Sequence, residues 1–372
     1  MIETYVAACI QPVIQMCESR QDIMKNLNRL LGLIDYAAGW FWEWPCKLIT
    51  LPEYFLQGVT GPGKGEKKRG DFLNVAIEIP GEETELLAKK AIEYELYIAG
   101  AGIVENDPNF PGHWFNTGII IDPKGDVILK YRKWHVPGWI GLGTSPHDVF
   151  DKYKRLYGGD LKSLFPVVDT EIGKLGIYTC YDGWTPEIAR ALAFNGAEVL
   201  IHSTAVPCEA IEGTNDTWTL TNRARAHENL VYVVAPDWGS VKYEYYPENR
   251  GPGRSQIIDY NGRVIAEAPY PGESVIVAEI DIEALRRRRT MMYWNYWPDL
   301  RAEVFKEMYE HPIYPPNLFL EHPPESMAQK MAGEAQGFDY LYRRGTFTRP
   351  SGKVATLEER MKKAQEKGTL KK

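Results

Sequence analysis

Three residues in this chain stand where chemistry could start. Glu53 follows the apolar run LITLP, Lys133 closes the run ILKYRK, and Cys180 follows GIYT, just ahead of a helical pattern that opens with Pro186. Each ends a stretch that reads as a strand, and in open α/β folds ligands bind at the carboxyl ends of strands. Taken singly, each has a plain structural reading. A strand-end cysteine is usually a small buried apolar residue, and a strand-end lysine is usually solvated. Together they supply complementary parts of one mechanism. A thiol needs a base or a neighbouring cation to become a nucleophile. Glu53 can take its proton, and Lys133 can stabilise negative charge that develops on a substrate.

The elements that must position these groups alternate along the chain. Residues 5–11, 47–51, 96–103, 118–122, 126–131, 176–180, 199–203 and 231–235 read as strands, rich in Ile, Val and Leu and ended by Pro, Gly or Asp. Helical patterns over 22–38, 82–94, 186–195 and 215–228 lie between them, with Pro186 in a first turn and Asn195-Gly196 as a stop. Strands that are apolar throughout imply sheets covered on both faces. Turn signals at DPKG (122–125) and DYNG (259–262) mark hairpins, so the sheets are mixed rather than parallel. This predicts one catalytic domain over 1–290. After the run of four arginines ending at Arg289 the composition shifts to an aromatic cluster, a helix over 299–309 and a Pro-rich stretch, 311–324. Residues 291–372 therefore read as a C-terminal arm or tail that packs on the body or on a partner subunit, ending in a charged segment, 358–372.

Composition excludes other classes. The 372 residues are 44% hydrophobic and 25% charged, which excludes disorder and predicts a sizeable core. A net charge of −7 gives no basic face for nucleic acid. Five cysteines, an odd number without a CxxC pair, argue against a disulfide framework and for a reducing compartment. With no basic n-region and no apolar run near the roughly 20 residues that span a bilayer, a cytoplasmic protein without membrane contact is expected. No His/Asp/Glu cluster has metal-ligand spacing, and the GPGKG segment lacks a phosphate-loop context, so neither metal nor cofactor is expected.

On these residues the sequence resembles the nitrilase superfamily of carbon–nitrogen hydrolases, being most similar to its aliphatic amidase/formamidase and carbamoylase-like branches. The three signatures stand in chain order as LPEYF with Glu53, YRKWHVPG with Lys133 and YTCYDGWTPEIAR with Cys180, and the likeness runs over roughly residues 1 to 300. The resemblance implies a four-layer α-β-β-α sandwich with two mixed sheets, assembled into a homodimer or higher oligomer. It implies a Glu–Lys–Cys set that hydrolyses a small-molecule amide through a thioester, with Lys133 and the backbone N–H of Tyr181 facing the oxyanion. Relatives often carry a second acid, and here the amidase-like PxEGW pattern is reduced to VPGW. Asp151 is then the candidate for that role and Asp148 its alternative, against the plain reading of DKYKR as a solvated segment. Trp184, His135, Trp139 and Thr204 are counted with Tyr181 on the substrate side. Trp238 and Cys208 are further pocket candidates, and His202 reads as a satisfied core histidine. Carbamoylases tend to place an arginine pair after CxD to hold a carboxylate, and this chain has Gly183 and Trp184 there, so an uncharged amide is the first expectation. N-carbamoyl amides or nitriles on the same site remain alternatives, as do a catalytically silent member of the fold and a Cys–His hydrolase using His135 or His202.

Overall fold

The computed structural model describes residues 1–40, 43–58, 69–138, 141–205, 216–242 and 253–352. Strand β1 (Tyr5–Gln11) is buried along its whole length, and its two-residue alternation sets the layering. Tyr5, Ala7 and Cys9 share a core with a second sheet, whereas Ala8 and Ile10 pack beneath helix α1 (Arg20–Gly39). The first sheet runs in the order β14 (Ser274–Ile280), β1, β3 (Cys46–Leu51), β4 (Tyr97–Glu105), β5 (Phe115–Ile121) and β6 (Val127–Arg132). The second runs β13 (Val264–Glu267), β12 (Gln256–Ile258), β10 (Tyr232–Ala235), β9 (Val199–Ser203), β8 (Gly173–Thr179) and β7 (Val167–Thr170). In each, three central parallel strands are flanked by antiparallel ones. A small parallel pair, β2 (Val13–Gln15) with β11 (Ser240–Lys242), lies apart.

The outer face of the first sheet is covered by α1 and α2 (Glu82–Tyr94), through Ile23, Leu27, Leu30, Ile34, Leu87 and Ala91. Burying each of the larger aliphatic side chains stabilises the fold by roughly 1.5–3 kcal/mol. The second sheet is covered by α4 (Pro186–Phe194) and α5 (Thr217–Asn229), through Ile188, Leu192, Trp218 and Ala226. The result is the α-β-β-α sandwich with two mixed sheets. Both turn signals close hairpins, β5–β6 and β12–β13.

Some elements escaped the sequence reading. Helix α3 (Phe150–Tyr157) occupies the supposed charged loop, because Phe150 and Tyr153 pack edge-on against Trp134. The half-exposed edge strand β7 has no clean alternation. After α6 (Ile282–Arg289) the expected helix over 299–309 is broken into short turns, Trp297–Asp299, Ala302–Phe305 and Lys306–Tyr309, and Met292, Tyr293 and Trp294 stay largely exposed. The Pro-rich stretch folds back on the chain's own body: the N–H groups of Asn317 and Phe319 donate to the carbonyls of His147 and Asp148 at 2.9 and 3.0 Å. It leads into α7 (Met327–Arg344), capped by Ser326 and ended by left-handed Gly345. The sequence reading missed this helix, whose interior glycines Gly333 and Gly337 weaken helix propensity. The charged tail at 358–372 lies outside the described residues. Among the described residues no helix is long and apolar enough to cross a membrane.

Candidate active site

Glu53, Lys133 and Cys180 leave β3, β6 and β8 at neighbouring carboxyl ends, where the two sheets are stitched together. Ser203 Oγ donates to Leu51 O at 2.8 Å, and Glu53 N–H donates to Thr204 O at 3.1 Å. The turn at Glu53–Tyr54 is left-handed at Tyr54 (φ 58°) and presses on Gly102, where a Cβ would lie 2.0 Å from Tyr54 N. Only glycine, itself at φ +80°, admits that approach.

Glu53 Oε1 accepts from Lys133 Nζ and from Asn116 Nδ2, each at 2.7 Å, and all three residues are buried. Asn116 also accepts the Lys133 N–H on its backbone carbonyl at 2.9 Å, so one residue holds the lysine's main chain and the glutamate's carboxylate. The Cys180 thiol lies within electrostatic reach of both Glu53 and Lys133. Burial pushes that thiol well above the ordinary range; the negative charge of Glu53 adds to the shift and Lys133 opposes it. Burial alone would discharge Lys133, but the charges that Cys180 and Glu53 carry when ionised outweigh it and hold the ammonium well above its usual value. The resting cysteine is therefore a thiol and the lysine an ammonium.

Cys180 opens the 3-10 turn Cys180–Trp184 with φ 47°, a left-handed conformation that costs a non-glycine residue on the order of 1–3 kcal/mol. Two groups keep it there. His202 Nε2 donates to Cys180 O at 2.9 Å while Nδ1 faces the Asn222 amide at 2.6 Å; burial lowers the imidazole's pKa and keeps it neutral. Asp182, fully buried, accepts from Tyr131 OH (2.6 Å) and from the backbone N–H of His135 (2.8 Å), and faces the His135 ring nitrogen at 2.9 Å. It thus ties the cysteine turn to the lysine loop. The lysine is anchored from the other side by the preceding Arg132, whose guanidinium pairs with Glu105 and Asp107, all buried.

The structure brings Glu53, Lys133 and Cys180 together, with Tyr181 next to Cys180 in the chain and Thr204 against the Glu53 backbone. The Thr204 hydroxyl is buried without a hydrogen-bond partner among the described residues. Trp184 packs on the core, and its carbonyl accepts from Arg225. Trp238 is buried against the outer core of the first sheet. Asp151 is not brought to this cluster. It sits on α3 with its side chain about half exposed, paired with Lys154 and with Asn317, because the helix turns it outward. Asp148 is buried, but its carboxylate is taken by the Ser145 N–H, by Lys330 and by Tyr314. Trp139, Cys208 and residues 61–65 lie outside the described residues. The reading from sequence missed Asn116 and gave no role to Asp182; the acid two residues after the cysteine was the one available signal. Among the described residues no three His, Cys, Asp or Glu side chains group as a metal set.

The carbon-nitrogen hydrolase family model matches residues 6–290, spanning all three residues of the set. The chain belongs to the carbon–nitrogen hydrolase family. A formamidase of Bacillus cereus (strain Q1) is 31% identical to it over 280 residues, 75% of this chain and 74% of that protein. A formamidase of Bacillus anthracis matches at the same identity and coverage. Among solved structures, Saccharomyces cerevisiae Nit3, a member of branch 10 of the nitrilase superfamily, superposes with a TM-score of 0.60 at 26% identity, covering 78% of this chain and 95% of that one. A carbon–nitrogen hydrolase of Helicobacter pylori gives a TM-score of 0.65 at 22% identity over 83% of this chain and 99% of that one, a likeness of fold. This family member therefore carries the nitrilase-superfamily fold.

Proposed function

We propose that this carbon–nitrogen hydrolase cleaves a small uncharged amide to a carboxylic acid and ammonia or an amine. Glu53 takes the proton of Cys180 as the sulfur attacks the carbonyl carbon, so that a thiolate forms only with substrate in place. Lys133 and the N–H of Tyr181 stabilise the tetrahedral oxyanion. Protonated Glu53 then gives its proton to the leaving nitrogen, and the C–N bond breaks to leave a thioester. A water, deprotonated by Glu53, attacks that thioester; the C–S bond breaks, and the proton returns to the sulfur.

The observation that carries the reading is the buried Glu53 carboxylate, which pairs with the Lys133 ammonium at 2.7 Å and whose charge the Cys180 thiol feels. Two facts favour an uncharged substrate: the formamidase relatives, and Gly183, where a Cβ would lie 2.5 Å from the His202 ring and leaves no room for a carboxylate-binding arginine. The exposed apolar strip at Met292–Trp294 supports self-association, and an odd number of cysteines without a CxxC pair supports a reducing, cytoplasmic setting.

The test is ammonia release from a panel of simple amides, N-carbamoyl amino acids and nitriles, run with the Cys180→Ala variant alongside. Simple amides should be turned over preferentially, and the variant should lose at least ~10³-fold in kcat with its melting temperature nearly unchanged. Preference for N-carbamoyl acids or nitriles would replace the amide reading. Full activity in the alanine variant would remove Cys180 as nucleophile.

A further inference from the structure

We propose that helix α7, close to the chain's C-terminus, is the specificity element of this site. Met327 forms part of the wall beside Cys180, and Lys330 and Glu334 are positioning residues for the loop that carries Leu142. The proposal rests on the Cys180-centred reading above and names what limits the size of the acyl group held there.

A compact apolar cluster contains Tyr54, Trp114 and Leu142, with Ala205 and Met327 packed against it. Two of these flank the reacting groups. Tyr54 follows Glu53, and Ala205 follows Thr204, whose carbonyl accepts the N–H of Glu53, the charged neighbour of the Cys180 sulfur. An acyl group carried on that sulfur therefore has this cluster beside it, and α7 contributes one of its side chains.

The same helix fixes another. Between Lys133 and the turn at Pro146 the described residues form no strand or helix, so the loop takes its shape from what it packs on. Gly138 N–H donates to Glu334 Oε1 at 2.7 Å. A Cβ on Gly138 would lie 2.8 Å from both Lys330 Cβ and Met331 N, so the loop's backbone rests directly on the helix. Lys330 Nζ donates to Gly143 O and pairs with Asp148 Oδ2 at 3.3 Å. Gly143 follows Leu142, so the ammonium holds the backbone from which Leu142 enters the cluster.

Space-filling does not explain this lysine. Its side chain is 2% exposed, and an apolar residue of the same length would fill the space without desolvating a charge. A buried ion pair is best used to specify register, and here the register it specifies is that of the loop between the catalytic lysine and Asp148.

The experiment uses the full-length chain with Met327→Ala, Lys330→Met and Glu334→Gln. Two ratios are measured. One is kcat/KM for butyramide over that for formamide. The other is the rate of Cys180 alkylation by N-phenyl iodoacetamide over that by iodoacetamide, counted against Cys180→Ala. Loss of folded protein cancels from both ratios, so a merely structural role cannot move them. Met327→Ala should raise the bulky-to-small ratios at least ~10-fold, the low end for opening an apolar pocket. Lys330→Met and Glu334→Gln should shift them at least ~3-fold, a smaller effect because they act through Leu142. Glu334→Gln, which removes one charge and little volume, decides the positioning role if Lys330→Met fails to fold. Ratios within twofold of wild type in all folded variants overturn the proposal, and a shift in Met327→Ala alone overturns the role of Lys330 and Glu334. If the wild type releases no ammonia from any amide while the alkylation ratios move as expected, the amidase reading falls and this inference stands.

Discussion

At the residue scale, the site keeps the Cys180 thiol protonated by surrounding it with low-dielectric protein and a negative neighbour. The sign follows directly. A raised thiol pKa means that the thiolate forms at higher pH than the ordinary 9.0. Iodoacetamide labelling of substrate-free Cys180 should thus keep accelerating past pH 9, and a plateau below pH 8 would mean a preformed thiolate. Asp182 and Asp151 make a matched pair for a second prediction. Asp182→Asn weakens the acceptor that holds His135 and Tyr131 and should cost at least ~10-fold in kcat, whereas the outward-facing Asp151→Asn should stay within about twofold. Steady-state kinetics of the two variants decide it; the reverse order would return the second-acid role to Asp151.

At the element scale, the loop that follows Lys133 is held by joints to its neighbours, and one of them is sensitive to acid. His113, just before β5, shares a hydrogen bond with Thr144 at 2.9 Å, where Phe115 and Thr144 also bridge. Burial, with a contribution from nearby Lys152, lowers the pKa of this histidine from 6.5 to about 4. A depressed pKa contributes stability that is fully present above pH 6.5 and is lost as the pH falls from 6.5 toward about 4. The loss amounts to at most roughly 3 kcal/mol. Chemical denaturation at pH 7.5 and 4.5 should show a smaller loss on acidification for His113→Asn than for the wild type. Equal losses would remove His113 from the acid response.

For the molecule as a whole, the uneven C-terminal region matters most. Residues 317–319 and helix α7 pack on the chain's own body, yet Met292, Tyr293 and Trp294 are 91%, 85% and 76% exposed. A soluble monomer seldom presents such a run to water, and a second copy of the chain is the occupant that needs no further component. Sedimentation at micromolar concentration should give a mass above 42.4 kDa, and Tyr293→Ser with Trp294→Ser should move it toward that value. A monomeric wild type would reject the strip as an interface between copies.

What the sequence determined by itself was local or periodic. Apolar runs and turn residues located β1 and β9 to the residue, because burial on both faces leaves an uninterrupted signature, and the helical pattern located α2 as closely. The three strand-end groups were legible because each follows such a run, and the resemblance then joined them. Contacts between distant segments were not legible. Asn116 reads as one more strand residue until β5 lies beside the Glu53 turn, and Asp182 is an ordinary acid until its backbone turn faces the lysine loop. Asp151 and Asp148 are three residues apart in one charged stretch, and only the packing of α3 and α7 turns one to solvent and buries the other. Helix α7 was hidden for the same reason. Its glycines lower its intrinsic propensity, and its stability comes from the body it lies against, a term that appears only when the chain has folded.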